Sequence, residues 1–286
     1  MMGKAVAWSV AVALAIVVVA LTLYWQQRQD IALQAHLENV KQRGGEPEVS
    51  CAEVRASRPM VLLALGQSNA GNHGAAATLS LEPVTLVAGD RCILANDPLP
   101  GATGNGASIW RRLPAALSGL GVARPVVLDV LAVDGASIGA WTRRGSPLRR
   151  RLESTVESLR KTGLMPDFVL WQQGEADALD GIGRTGYVNA LGELRSALDE
   201  NGATAPILLA YSTTCRSMPN DAIRAAIEAA AADSARFRMG PDTDALQGPR
   251  YRYDGCHFTA DGLNAAAKLW AESLTPQFVP PPIKAQ

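Results

Sequence analysis

"MVLLALGQSNAG", Met60 to Gly71, opens with six apolar residues in a row and then passes directly into glycine, glutamine, serine and asparagine. A half-exposed antiparallel strand would alternate apolar with polar. A short run apolar on both faces fits a strand buried on both sides in a parallel sheet. Three further runs repeat the pattern: "PVVLDVLAV" from Pro125, "DFVLWQ" from Asp167 and "PILLAYS" from Pro206. Between and after them lie "SIWRRLPAALSGL", "PLRRRLESTVESLRK", "TGYVNALGELRSALDE" and "NDAIRAAIEAAAADSA", all with helical spacing. Such alternation predicts a three-layer α/β/α sandwich with a central parallel sheet. Ligands of these sheets bind beyond the carboxyl ends of the strands. The polar stretches that follow the first three runs, "GQSNAG", "DGASIGAW" and "QQGEAD", therefore mark where chemistry is expected.

The 286 residues carry 27 basic and 27 acidic side chains, so no net field draws the chain to nucleic acid. Ala5 to Trp25 is a stretch of 21 residues without a charge. At about 1.5 Å per residue it would cross a hydrocarbon core of about 30 Å, which predicts an N-terminal transmembrane helix, a signal anchor, over residues 1–26. A cleaved signal peptide is the competing reading, but its apolar core is usually only ~7–15 residues. Lys4 on one flank and Arg28, Lys41 and Arg43 on the other do not fix an orientation. Residues 27–56 read as a stalk, with Ile31, Leu33, Leu37 and Val40 as a weak helical stripe that Gly44-Gly45 ends. Residues 57–286 are long enough for one domain with a large core. The four cysteines show no CxxC and no zinc spacing, which favours disulfides and a periplasmic or extracellular location.

Ser68 is a nucleophile only if a base takes its proton and a carboxylate orients that base. The chain has three histidines. His36 belongs to the stalk, which leaves His73, five residues beyond Ser68, and His257 in "YDGCHFTADGL". A D-x-x-H turn can set Asp254 against one nitrogen of His257 while the other faces Ser68. The plain alternatives are a helix cap for Asp254 and a surface imidazole for His257. "GQSNA" departs from the G-x-S-x-G elbow because Ala70 replaces the last glycine. Glu175 and Asp177 raise a glycosidase reading, but a spacing of two in a turn does not flank a sugar bond, and Glu175 reads as a buried orienting partner for the loops. Trp141, Tyr251 and Tyr253 have the ring area to stack on a sugar, with rim packing as the competing role. Asp242 and Asp244 look like a metal pair only superficially, and loop hydrogen bonding is the default.

"GQSNAG", "WQQGEAD" and "DGCHFTADGL", in this order, resemble the SGNH (GDSL-like) hydrolases, in the branch of sialate O-acetylesterases and acetylxylan esterases. "DPLPGATGNGASIWRRL" and "AVDGASIGAW" are similar to two further blocks of that branch. The resemblance implies a flavodoxin-like SGNH-hydrolase sandwich and a triad of Ser68 as nucleophile, His257 as base and Asp254 as its orienting acid. It also implies an oxyanion hole of the Ser68 N–H, a glycine of "GNG" (Gly106, with Gly104 as the other option) and the Gln173 side chain. The implied activity is removal of acetyl, or another small acyl group, from a carbohydrate through an acyl-enzyme, with no metal or organic cofactor. A carbohydrate O-acyltransferase with the same triad, or a catalytically silent glycan-binding domain, are the alternatives. Cys215 follows a strand and Cys256 lies between Asp254 and His257, so both fall at the sheet's carboxyl edge, where a bridge is expected. Cys51 and Cys92 remain as the second pair.

Overall fold

The computed structural model describes residues 2–42, 44–75, 81–233 and 235–277, with side chains of the first helix described from residue 12 onward. The strands are β1 (Glu48–Val49), β2 (Met60–Gly66), β3 (Val84–Ala88), β4 (Arg91–Ala95), β5 (Val126–Ala132), β6 (Phe168–Gln172), β7 (Ile207–Tyr211) and β8 (Phe237–Asp242). They form one sheet in the order β1-β4-β3-β5-β2-β6-β7-β8. The helices are α1 (Met2–Glu38), α2 (Cys51–Ala56), α3 (Leu113–Gly119), α4 (Ile138–Thr142), α5 (Pro147–Thr162), α6 (Glu175–Asp180), α7 (Arg184–Glu200), α8 (Asp221–Ala231) and α9 (Ala260–Leu274).

The sheet is mixed rather than wholly parallel. Pairing is parallel from β3 through β5, β2, β6 and β7 to β8, whereas β4 runs antiparallel to both β3 and β1. Only two residues, Gly89 and Asp90, join β3 to β4, and so short a link forces the second strand to reverse.

All seven residues of β2 are buried, and they divide between two cores. Val61, Leu63 and Leu65 join Trp141, Leu152, Leu194 and Ile227 from α4, α5, α7 and α8 on one face. Met60, Leu62 and Ala64 join Leu113, Leu117, Leu263 and Trp270 from α3 and α9 on the other. This alternation of neighbouring side chains across a strand is why runs apolar at every position were needed.

The expected N-terminal membrane span finds no support in the structure. Among the described residues no helix is long and apolar enough to cross a membrane. Residues 1–11 of the expected anchor lie outside the described side chains. Nor is the segment 27–56 a free stalk. Leu33, Leu37 and buried Val40 pack on the first core, Asp30 pairs with Arg143, and β1 pairs with β4.

Both expected disulfides form, Cys51–Cys92 and Cys215–Cys256, each joining positions 41 apart in sequence. Closing loops of that length restricts the unfolded chain by roughly 4 kcal/mol per bridge in the chain-entropy estimate. The Cys215→Ser, Cys256→Ser double variant is therefore expected to lose several kcal/mol in urea unfolding. An unchanged midpoint would show that this bridge adds nothing to folding.

Candidate active site

The Ser68 turn begins where β2 ends. Gly66 has φ +155°, and a Cβ there would lie 2.1 Å from the Gln172 carbonyl oxygen, so only glycine lets the ends of β2 and β6 lie this close. The chain then enters a 3₁₀ turn, Ser68–Ala70, with Ser68 only 2% exposed. Asn69 Nδ2 donates to Glu175 Oε1 (2.8 Å) and to the Cys256 carbonyl (3.1 Å). Asn72 Nδ2 donates to the Leu99 carbonyl (2.9 Å), and Asn72 Oδ1 accepts from the Leu99 N–H (2.8 Å). Two asparagines thus anchor one turn to three other loops.

Asp254 and His257 sit on the loop that leads into α9. Asp254 Oδ1 accepts from the backbone N–H groups of Cys256 (2.9 Å) and His257 (2.7 Å), and Oδ2 lies 2.8 Å from His257 Nδ1. Partial burial pushes the Asp254 carboxyl up, but the His257 N–H, the His257 ring and the Cys256 N–H together hold it well below the usual carboxylate range. Buried Arg252 fixes the loop from beneath, donating to the carbonyls of Leu246, Thr243 and Cys256.

The structure brings the Ser68 turn against this loop. Besides the Asn69 bond, the Ala75 N–H donates to the Phe258 carbonyl (2.8 Å) and the Tyr253 hydroxyl to the His73 carbonyl (3.1 Å). Among the described residues, Ser68 makes no side-chain hydrogen bond to His257. Such bonds are commonly long before substrate binds and tighten in the complex.

The donors implied for the oxyanion hole are placed unequally. The Gly106 N–H donates to the Asn72 carbonyl (2.7 Å), so it is already committed. Gly104, at φ +98°, approaches Asn72 so closely that a Cβ would lie 2.4 Å from its carbonyl oxygen. Among the described residues nothing accepts from the backbone N–H of Gly104 or of Ser68. Gln173 is fully buried, and its amide faces inward. Its Nε2 donates to the Ala136 carbonyl (3.1 Å), to Gln67 Oε1 (3.3 Å) and to Asp177 Oδ2, while its Oε1 accepts from the Tyr187 hydroxyl (2.9 Å). An amide with two hydrogens has none left over in that arrangement.

Glu175 is buried beside the Ser68 turn. Its Oε1 accepts from Asn69 and from Ser212 Oγ (2.7 Å), tying the Ser68 turn to the end of β7. Burial pushes this carboxyl up to about 7, and burial likewise pushes Asp129 in β5 up to about 8. Folded-state values above the unfolded ones mean that the folded chain keeps protons the unfolded chain has released, so stability falls as pH rises from about 4.5 to 8. The Glu175 share is about 3 kcal/mol. Urea unfolding is expected to show a lower midpoint at pH 8 than at pH 5, and Glu175→Gln should flatten the part between pH 5 and 7. A parent and a variant with the same slope would contradict the burial argument.

Other residues settle elsewhere. Trp141 is fully buried and meets Trp171 edge-on at 5.4 Å between ring centroids, so it is core and not a sugar platform. Asp244 accepts from the N–H groups of Thr213 and Thr214, and Arg224 bridges Asp242 and Asp244, which is the loop bonding expected of them. His73 is stacked on His257 with centroids 5.5 Å apart. Burial holds the His73 imidazole below its ordinary value, Asp134 opposes this, and His257 adds to it. Sequence reasoning missed two neighbours of the Asp254–His257 loop. Arg216 reaches Asp254 Oδ2 at 3.4 Å, and Asp134 approaches His73. The position of Asp134, first in a polar stretch after β5, was the available signal for it.

No protein-family model and no curated protein matches the chain. Solved structures do. A protein from Arabidopsis thaliana aligns with 77% of this chain and all of its own length, at 21% identity and a TM-score of 0.62. A protein described as a GDSL-like lipase from Parabacteroides merdae aligns with 75% of this chain and 94% of its own, at 16% identity and a TM-score of 0.51. A carbohydrate acetylesterase from Sinorhizobium meliloti aligns at 14% identity and a TM-score of 0.48, over 77% of this chain and 100% of its own. At such identities the first two likenesses establish the fold: a mixed α/β domain on a central sheet, of the kind seen in the GDSL-like protein.

Proposed function

We propose that the chain is a serine esterase that removes acetyl, or another small acyl group, from a carbohydrate. The observation that carries this is the Asp254–His257 pair at 2.8 Å on a loop hydrogen-bonded to the Ser68 turn. Asp254 holds the proton of His257 on Nδ1, which leaves Nε2 free to accept the Ser68 hydroxyl proton. Ser68 Oγ then attacks the ester carbonyl carbon. The resulting oxyanion is met by the N–H groups of Ser68 and Gly104, neither of which has an acceptor among the described residues. Gly106 and Gln173, whose donors are already engaged, shape this wall. Collapse expels the sugar hydroxyl, which takes its proton from His257. A water molecule, deprotonated by the same imidazole, then releases the acid and restores Ser68.

The carbohydrate acceptor is supported by the resemblance of the "GQSNAG", "WQQGEAD" and "DGCHFTADGL" stretches to acetylesterases of sugars. Ester chemistry is supported by the GDSL-like lipase among the fold neighbours. The two disulfides support an oxidising compartment, periplasmic or extracellular. The full chain is expected to release acetate from acetylated oligosaccharides, and to do so faster than it cleaves long-chain acyl esters. Failure to turn over both acetylated sugars and a simple aryl acetate would overturn the reading.

A further inference from the structure

His73 follows the nucleophile turn, Asp134 follows β5, and His257 precedes α9. Three separate segments therefore converge at the carboxyl edge of the sheet, and one donor atom from each lies within 4.8 Å of the other two. We propose that these three side chains form a binding site for a divalent transition metal of the zinc class, and that its occupancy switches the esterase off.

The geometry favours such an ion in several ways. Ligands at about 2.0–2.1 Å around a tetrahedral ion lie roughly 3.3–3.5 Å from one another, so closure requires movements on the order of 1 Å. The two imidazole rings are stacked, 25° apart with centroids at 5.5 Å, so a rotation of one ring accompanies the closure that brings both lone pairs onto one ion. Tyr253 stacks on His257 at 6.0 Å, which limits how far that ring can swing, and its hydroxyl donates to the His73 backbone carbonyl. One hydroxyl, Thr103 Oγ1, lies 3.1 Å from His73 Nε2 and accepts from the Asp134 N–H at 2.9 Å, so it fixes those two residues relative to each other. Asp254 holds His257 by Nδ1, the carboxylate–histidine arrangement that orients metal-bound imidazoles and makes them better donors.

The donor set decides which metal fits. Two imidazole nitrogens and one carboxylate suit zinc, nickel or copper, whereas magnesium and calcium prefer oxygen ligands throughout. Three protein ligands leave a position for water. The functional consequence rests on the esterase reading. A metal on His257 Nε2 takes the lone pair that would accept the Ser68 proton, so no nucleophile forms while the ion is bound.

The test separates binding from turnover. In the full chain, Co²⁺ is expected to bind one per chain with the intense visible absorption of four-coordinate cobalt, and Zn²⁺ should displace it. His73→Gln and Asp134→Asn should each weaken this binding by at least about tenfold, and Ser68→Ala should leave it unchanged. In the esterase assay, Zn²⁺ should inhibit and a chelator restore the rate. The Zn²⁺ concentration that halves the activity, taken relative to each variant's own metal-free rate, should rise at least about tenfold in Asp134→Asn. Six-coordinate cobalt spectra that neither substitution alters would overturn the site. Metal binding in a chain that hydrolyses no ester would leave the site standing and overturn only the esterase reading. Activation by Zn²⁺, lost with chelator, would overturn the inhibitory role.

Discussion

Ser68→Ala is expected to lower kcat for an acetyl ester by a factor on the order of 10⁴ to 10⁶ and to abolish the initial burst of leaving group that marks an acyl-enzyme. The structure makes this a clean experiment. Among the described residues the Ser68 hydroxyl bonds to no other side chain, whereas the turn around it is held by Asn69, Asn72 and backbone bonds that alanine leaves in place. Removing one oxygen from a turn so anchored should change unfolding free energy by less than about 0.5 kcal/mol. Loss of activity with an unchanged unfolding midpoint then reports chemistry and not collapse of the fold. A variant that keeps activity within tenfold of the parent would remove Ser68 as nucleophile. It would also remove the reason for calling the N–H groups of Ser68 and Gly104 an oxyanion hole.

The parts of this site legible in the sequence are those set by local spacing. A D-x-x-H turn is short enough for one carboxylate oxygen to take the His257 N–H while the other takes Nδ1, and that is the geometry found. The polar turns after the apolar runs were likewise bound to gather at one sheet edge once the runs were parallel strands. What the sequence hid depends on partners far away in the chain. Of Gly104 and Gly106 only the second gives its N–H to the Asn72 carbonyl, and that acceptor is more than thirty residues earlier. Gln173 was expected to face substrate, yet Tyr187, Ala136 and Asp177 draw its amide inward, and nothing in "WQQGEAD" announces Tyr187. The β3–β4 hairpin escaped notice because "VTLVAGDRCILA" has its turn in two residues between two short runs. The apolar N-terminal run was read by length and charge alone, and these do not show that Leu33, Leu37 and Val40 bring the following segment onto the domain.

Asp254→Asn is expected to lower kcat by a factor on the order of 10⁴ with little change in KM, and the hydrogen bonds of Asp254 give the reason. Oδ1 accepts two backbone N–H groups, from Cys256 and His257, so in the variant that position must be the amide oxygen. The NH₂ group is then forced into the place of Oδ2, facing His257 Nδ1 and the Arg216 guanidinium. An amide N–H aimed at Nδ1 makes that nitrogen an acceptor, which moves the ring proton to Nε2. Nε2 then has no lone pair for the Ser68 proton, although every heavy atom is close to its original position. The tautomer can be read directly: ¹⁵N shifts of the imidazole should report protonated Nδ1 in the parent and protonated Nε2 in the variant. A variant with the switched tautomer and a rate within tenfold of the parent would show that His257 is not the base. His73, stacked against it and accompanied by Asp134, would then be the residue to test in that role.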